Sequence, residues 1–321
     1  MAEGNGIMVY SDDPDLTVEM LGKAREIADD LRCELTAVII GHNVAEKADE
    51  LAKYGAEKVV AIDDPSLERF QVDRYLSALH GLVTDKKLKI VMVGSTRNGK
   101  PLAAKLAMRL DAGCIPDCVK LTIADGKLVG ERMTYGGNAM AKMTFKSDPQ
   151  IVTVPARAFE KPPMKESKGQ VEKVAVKFDE AKTETIDVKP SAASSVRIED
   201  AQVIVSCGRG LEKKEDKALL DDLSNAMCGQ VGCSRPLAED RKWFTEWIGL
   251  SGHKVRPKLY VACGISGVIQ HVAGIRDSRI IVAINKDPEA PINEVADYAI
   301  NGNLYEILPA LTQAIKKQLQ K

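Results

Sequence analysis

The stretch 259-LYVACGISGVIQHVAGIRDSRIIVAINKDPEAPINEVAD-297 decides how this chain is read. An apolar run from Leu259 to Cys263 breaks at Gly264 and resumes from about Ser266, with Val268, Ile269, Val272 and Ile275 at helical spacing. That is a strand feeding a helix. A second apolar run, Arg279 to Ile284, ends at Asn285 in the Pro-containing loop Lys286 to Pro291. If both strands belong to one parallel sheet, their C-terminal ends share an edge, where open α/β sheets hold ligands. The Gly264-Ile265-Ser266-Gly267 turn then offers unpaired backbone N–H groups at a helix N-terminus, suited to a phosphate. Gln270 and His271 follow in the first turns of that helix. The same residues also make an ordinary tight turn with a capping serine, and pattern alone leaves both readings open.

Working outward, Val203 to Cys207 is a strand ending in Gly208-Arg209-Gly210, Lys214 to Met227 a helix, and Gln230 to Cys233 a short strand ending in Ser234-Arg235-Pro236. Arg209, Ser234, Arg235, the Gly264–Gly267 turn and Asn285 therefore fall at successive strand ends, the arrangement a bound cofactor needs. Either arginine taken alone fits an ordinary surface loop. The loop Ile248-Gly249-Leu250-Ser251-Gly252 brings a Gly-flanked hydroxyl close, or is a plain turn. Trp243 and Trp247, four apart, read as packing residues, and Leu304 to Leu319 as a closing amphipathic helix.

The N-terminal half alternates strand and helix, with strands at Ile7 to Ser11, Leu35 to Ile40, Lys58 to Ile62 and Ile90 to Val93. Helices run between them, from Leu16 to Leu31, Val44 to Tyr54, Val72 to Thr84 and then Pro101 to Leu110. This βαβ rhythm implies a parallel sheet covered on both faces. Beyond Gly113, short strands at Val119 to Ile123, Lys127 to Thr134, Ala139 to Phe145 and Gln150 to Val154 predict an antiparallel extension of that sheet. The expected fold is therefore α/β with two domains, each around a mainly parallel sheet with flanking helices, the second doubly wound. Residues 1–188 form the first domain, 189–196 a Pro/Ser/Ala linker and 197–321 the second.

Chemistry is bounded by what is missing. Gly94 to Pro101 has the GxxxxGK spacing of a phosphate loop, but Pro101 stands where a metal-binding hydroxyl is needed. A glycine-rich helix entry explains it. No Ser-His-Asp arrangement, HExxH or full GxGxxG is present. The seven cysteines are scattered through apolar segments, with a CxxxC pair at Cys114 and Cys118 but no CxxC. Buried reduced thiols are expected, and no metal site. Lys plus Arg number 45 against 46 Asp plus Glu, and aromatics are 4%, so nucleic acid is not an expected partner. Apolar runs fall short of the ~20 residues of a membrane helix, and the N-terminus lacks leader features. A cytoplasmic protein that is not an integral membrane protein is expected. Polar groups around a crevice without acid–base apparatus fit a chain that holds a redox cofactor.

Residues 264–298, GISGVIQHVAGIRDSRIIVAINKDPEAPINEVADY, resemble the FAD-binding domain of the electron transfer flavoprotein alpha subunit. Ser206 to Leu211, Gly232 to Arg235 and Tyr305 to Pro309 are similar to further segments of that family, so the likeness covers most of 201–321, while the N-terminal half matches mainly in element order. The resemblance implies FAD as cofactor, with Arg209, Ser234, Arg235, Ile248, Gly249, Leu250, Ser251, Ser266, Gly267, Val268, Ile269, Gln270, His271, Asn285, Asn303 and Leu304 as its contacts. It places Arg235 near the isoalloxazine, where positive charge would stabilise a reduced anionic flavin, and His271 near flavin O2. Two departures stand out. Leu250 replaces a glutamine common in relatives, beside a Ser251 that keeps the hydroxyl near flavin N5, and Asn303 replaces an aspartate.

The family further implies a heterodimer with an electron transfer flavoprotein beta subunit, based on the first domain, with the FAD domain swinging on its linker between donors such as acyl-CoA dehydrogenases and an acceptor. An electron-bifurcating variant, using NADH through the beta subunit, is the alternative within the family. From another class, an NAD- or ATP-dependent enzyme would use the same strand-end crevice.

Overall fold

The computed structural model describes residues 6–165, 169–179, 181–188 and 197–319. Tertiary contacts divide the chain into two units, Met1–Lys189 and Pro190–Lys321. The expected linker, 189–196, lies outside the described residues.

The first unit contains, in chain order, β1 (Gly6–Tyr10), α1 (Pro14–Leu31), β2 (Glu34–Gly41), α2 (Ala45–Leu51), β3 (Lys58–Asp63), α3 (Val72–Asp85), β4 (Ile90–Gly94), α4 (Gly99–Arg109), β5 (Cys114–Ile115), β6 (Cys118–Ala124), β7 (Lys127–Thr134), β8 (Ala139–Thr144), β9 (Gln150–Val154) and β10 (Gln170–Lys173). Its seven-stranded sheet runs β10-β3-β2-β1-β4-β9-β5 with every pairing parallel. Strands buried on both faces read as unbroken apolar runs. In β1, Ile7 and Val9 face one core while Met8 and Tyr10 face the other.

The antiparallel extension takes a different form from the one expected. β6, β7 and β8 make a separate three-stranded antiparallel sheet, whose first turn is Asp125-Gly126 with φ of 50° and 70°, the geometry Asp-Gly supplies. β9 instead returns to the parallel sheet between β4 and β5. Four short strands in succession carry no local signal of which sheet each joins. β10 inserts at the far edge from a charged segment in which no strand was expected.

The Gly94–Pro101 loop is closed on itself. Thr96 Oγ1 accepts from the Gly99 N–H at 2.8 Å and bonds Asp12, Asn98 Nδ2 donates to Asp12 at 2.8 Å, and Lys100 Nζ pairs with Asp117 at 2.9 Å. A phosphate loop needs those N–H groups and that lysine free.

The second unit contains β11 (Val203–Cys207), α5 (Lys217–Ala226), β12 (Gln230–Cys233), α6 (Arg235–Glu239), β13 (Leu259–Cys263), α7 (Ile269–Ile275), β14 (Ile281–Asn285), α8 (Ile292–Val295), β15 (Tyr298–Asn301) and α9 (Leu304–Leu319). The sheet order β12-β11-β13-β14-β15, all parallel, places β11 and β13 at the centre. The pleat divides each strand between two cores. Val205, Cys207, Val261 and Cys263 face α5 and α9, while Ile204, Tyr260 and Ala262 pack with Ile248, Ile265 and Ile275. Among the described residues no helix is long and apolar enough to cross a membrane.

Candidate functional site

Register builds the site. Cys233, Cys207, Cys263 and Ile284 pair across the sheet as its last common rung, so the residues following them, Ser234, Gly208, Gly264 and Asn285, emerge together. They line a cleft of about 590 Å³, within the range of small-molecule sites. Burial pushes the thiols of Cys233 and Cys263 up to about 12 and that of Cys207 higher still. They stay protonated and serve as apolar packing beneath the cleft rather than as nucleophiles. Cys228, by contrast, is exposed. Among the described residues no cluster of three or more His, Cys, Asp or Glu could hold a metal.

Of the residues singled out in the sequence, Arg209, Ser234, Ser266, Val268, His271, Asn285, Asn303 and Leu304 line this cleft. Arg209 is exposed at its mouth. Ser234 is buried and precedes α6 without capping it, which leaves its hydroxyl available. Lys286, Asp287 and Tyr305 also line the cleft and were missed. Residue pattern marks the Lys286 to Pro291 loop only as a turn, and its position past the end of β14 is the signal that places it at the cleft.

Several expected contacts have structural duties as well. Asn285 Nδ2 donates to the Ile265 carbonyl at 2.8 Å and its Oδ1 accepts from the Asp287 N–H at 3.0 Å. Asn303 caps α9, its Oδ1 accepting from the Tyr305 N–H at 3.1 Å, a task asparagine and aspartate perform equally. Gly267, at φ 83°, is packed so closely that a Cβ there would lie 2.3 Å from the Ile292 nitrogen. Its glycine identity is set by that backbone approach.

The helix after the glycine turn starts later than expected, at Ile269 rather than near Ser266, because positive φ at Gly264 and Gly267 is incompatible with helix. The N–H groups of Ser266, Gly267, Ile269 and Gln270 have no hydrogen-bond partner among the described residues.

His271 is buried, with Nε2 3.0 Å from the Tyr260 hydroxyl and Nδ1 3.1 Å from the Ile248 carbonyl. Burial lowers its pKa to about 4, so near neutral pH the imidazole is uncharged. A carbonyl only accepts, so Nδ1 carries the proton and Nε2 accepts from tyrosine.

Arg235, Ile248, Gly249, Leu250, Ser251, Gly267, Ile269 and Gln270 do not line the cleft. The Ile248 to Ser251 loop is nevertheless tied to it, since Ile248 bridges to Ser234 and the Leu250 N–H donates to the Gln270 carbonyl at 2.7 Å. Trp247, read as packing, does more. Its Nε1 donates to Ser251 Oγ at 3.3 Å and its ring lies 5.8 Å from the Arg235 guanidinium. The Ser251 hydroxyl therefore retains its own hydrogen for another acceptor.

The donor set fits FAD. Cations at Arg209 and Lys286 suit a pyrophosphate, unpaired N–H groups flank the glycine turn, and Ser234 and Asn303 are spaced along the same cleft. A doubly wound domain with such donors at its strand ends defines a dinucleotide-binding protein.

Residues 14–179 match the family model of the electron transfer flavoprotein domain, and residues 197–276 that of the electron transfer flavoprotein FAD-binding domain. Over 98% of its length the chain is 38% identical to an electron transfer flavoprotein subunit alpha of Clostridium acetobutylicum, covering 98% of that protein. Identity is 37% over 94% of this chain and 93% of the same-named subunit of Bacillus subtilis. It is again 37% over 97% of this chain and 77% of the lactate dehydrogenase (NAD(+),ferredoxin) subunit LctC of Acetobacterium woodii. The chain belongs to the electron transfer flavoprotein alpha-subunit family, and its C-terminal domain is that family's FAD-binding domain.

Proposed function

We propose that this chain is the FAD-holding half of a cytoplasmic alpha–beta electron carrier, taking electrons from flavoprotein dehydrogenases such as acyl-CoA dehydrogenases and passing them to a second redox acceptor. Residues 1–188 meet the beta subunit, and 189–196 join them to the FAD domain of 197–321. The gathering of Arg209, Ser234, Ser266 and Asn303 around one cleft at the strand ends carries this reading.

Bound there, FAD would supply the electron chemistry itself. Arg209 and Lys286 would offset the pyrophosphate charge, while the N–H groups from Ser266 to Gln270 and the Ser234 hydroxyl would orient the cofactor. Leu304 and the neutral ring of His271 wall the cleft. Arg235, whose guanidinium lies 5.8 Å from the Trp247 ring, would add fixed positive charge by the loop that carries Ser251. None of these residues needs to transfer a proton.

Co-purification with a beta subunit followed by reconstitution with FAD tests the proposal. Flavin absorbance bleached by an acyl-CoA dehydrogenase and its substrate is expected. Absence of flavin absorbance after reconstitution refutes it.

The bifurcating reading is compatible with the exposed Leu250, where a hydrogen-bonding side chain is common in relatives, and with the likeness to LctC, whose name is lactate dehydrogenase (NAD(+),ferredoxin) subunit. NADH oxidation by the heterodimer that requires two different acceptors together would select it. Oxidation with either acceptor alone would dismiss it.

A further inference from the structure

Tyr260 is the second residue of β13, wholly buried, on the face of the sheet that packs against Ile248 and Ile275. Its ring is tilted 55° to that of His271 at 6.1 Å, and its hydroxyl is 3.0 Å from Nε2. On the other side of the imidazole, Nδ1 meets the carbonyl of Ile248 at 3.1 Å. Ile248 in turn bridges to Ser234 and begins the loop that ends in Ser251. A phenol, an imidazole and a carbonyl thus form one directed chain from the sheet interior to the cleft and the adjacent loop. Only the phenol can choose direction, because the carbonyl has no proton to give.

We infer that Tyr260 is a positioning residue of the FAD site: its hydroxyl, donating to Nε2, anchors the ring of His271, whose Nδ1–H pins the Ile248 carbonyl and so sets the height of the Gly249 to Ser251 loop. This rests on the FAD reading of the cleft. It adds a residue that never touches the cofactor, and it makes His271 a tether rather than a charge.

Tyr260→Phe removes the hydroxyl and keeps the ring. In the full chain labelled with 15N at histidine, FAD-free wild type should show the His271 proton on Nδ1 with Nε2 bare. In Tyr260→Phe the proton should stay on Nδ1, because the Ile248 carbonyl still demands it, while FAD should dissociate roughly fivefold more readily, what one net hydrogen bond is worth, and the visible flavin band should shift. A proton on Nε2 in wild type overturns the inference without any variant, so it is decided even if Tyr260→Phe does not fold. An unchanged FAD affinity and flavin band in a folded Tyr260→Phe also overturn it. Failure of the FAD reading is distinguishable, because wild type itself would then bind no FAD.

Discussion

Asn285 and Ile265 are joined across two strand ends: the asparagine amide donates to the Ile265 carbonyl at 2.8 Å. The same side chain accepts from Asp287, so one residue fixes both the glycine turn after β13 and the loop after β14. Asn285→Ala leaves a buried carbonyl unpaired and should cost about 1–3 kcal/mol. Asn285→Asp, which has no N–H to give, should be no better. Chemical denaturation reads the loss, and FAD titration should show roughly tenfold weaker binding in both variants.

Gly267→Ala combines positive φ with a clash. The added Cβ would sit 2.3 Å from the Ile292 nitrogen and 2.5 Å from its Cα, which are backbone atoms that cannot swing away. A destabilisation of about 2–3 kcal/mol is expected from denaturation. A change below about 0.5 kcal/mol would show that the turn relaxes freely.

His271 makes stability fall in mild acid. The unfolded ring titrates near pH 6.5, whereas the folded one, depressed by burial, titrates at about 4. Between those values the unfolded chain binds a proton that the folded chain refuses, so stability drops by about 3 kcal/mol as pH falls from 6.5 to 4. His271→Gln should be less stable at pH 7.5 yet show a flatter profile over that window. An equal slope in both proteins would contradict the assignment.

Glu199 and His253 show the opposite sign. Their direct hydrogen bond raises the histidine above its usual value. The glutamate, which burial alone would raise, is held below its usual value by His253 and backbone contacts. The attraction is therefore present at pH 5 to 6.5, fades as pH rises through the raised histidine value, and fades again as pH falls through the lowered glutamate value. With both side chains partly exposed, it is worth about 1 kcal/mol or less. Glu199→Gln should lower Tm by roughly 2–4 °C at pH 6 and by much less at pH 9.

Arg209 stands at the cleft mouth, exposed and without an ion pair among the described residues. Arg209→Ala should leave Tm nearly unchanged, as surface substitutions do, while weakening FAD binding roughly tenfold through one lost charge-assisted contact. A fall in Tm with unaltered FAD affinity would assign the arginine to folding instead.

Much of this was legible in residue order. Apolar runs stopped at Gly208, Ser234, Gly264 and Asn285 announced strands whose ends would gather, and the register confirms that they do. Local pattern was weaker where partners lie far off in sequence. β9 was grouped with the antiparallel strands it follows, and β15, exposed throughout, lacked the apolar run that marked β14.

By itself the sequence determined the two α/β units, the glycine turn and the family, because these depend on local periodicity and on contiguous residues. Only the tertiary structure decided that Asn285 and Asn303 spend their side chains on turns and caps, that Trp247 joins Arg235 to Ser251, and that His271 is neutral and bonded to Tyr260. Those facts follow from distance and burial, which fix where each hydrogen bond and proton goes, and the order of residues along a chain encodes neither locally.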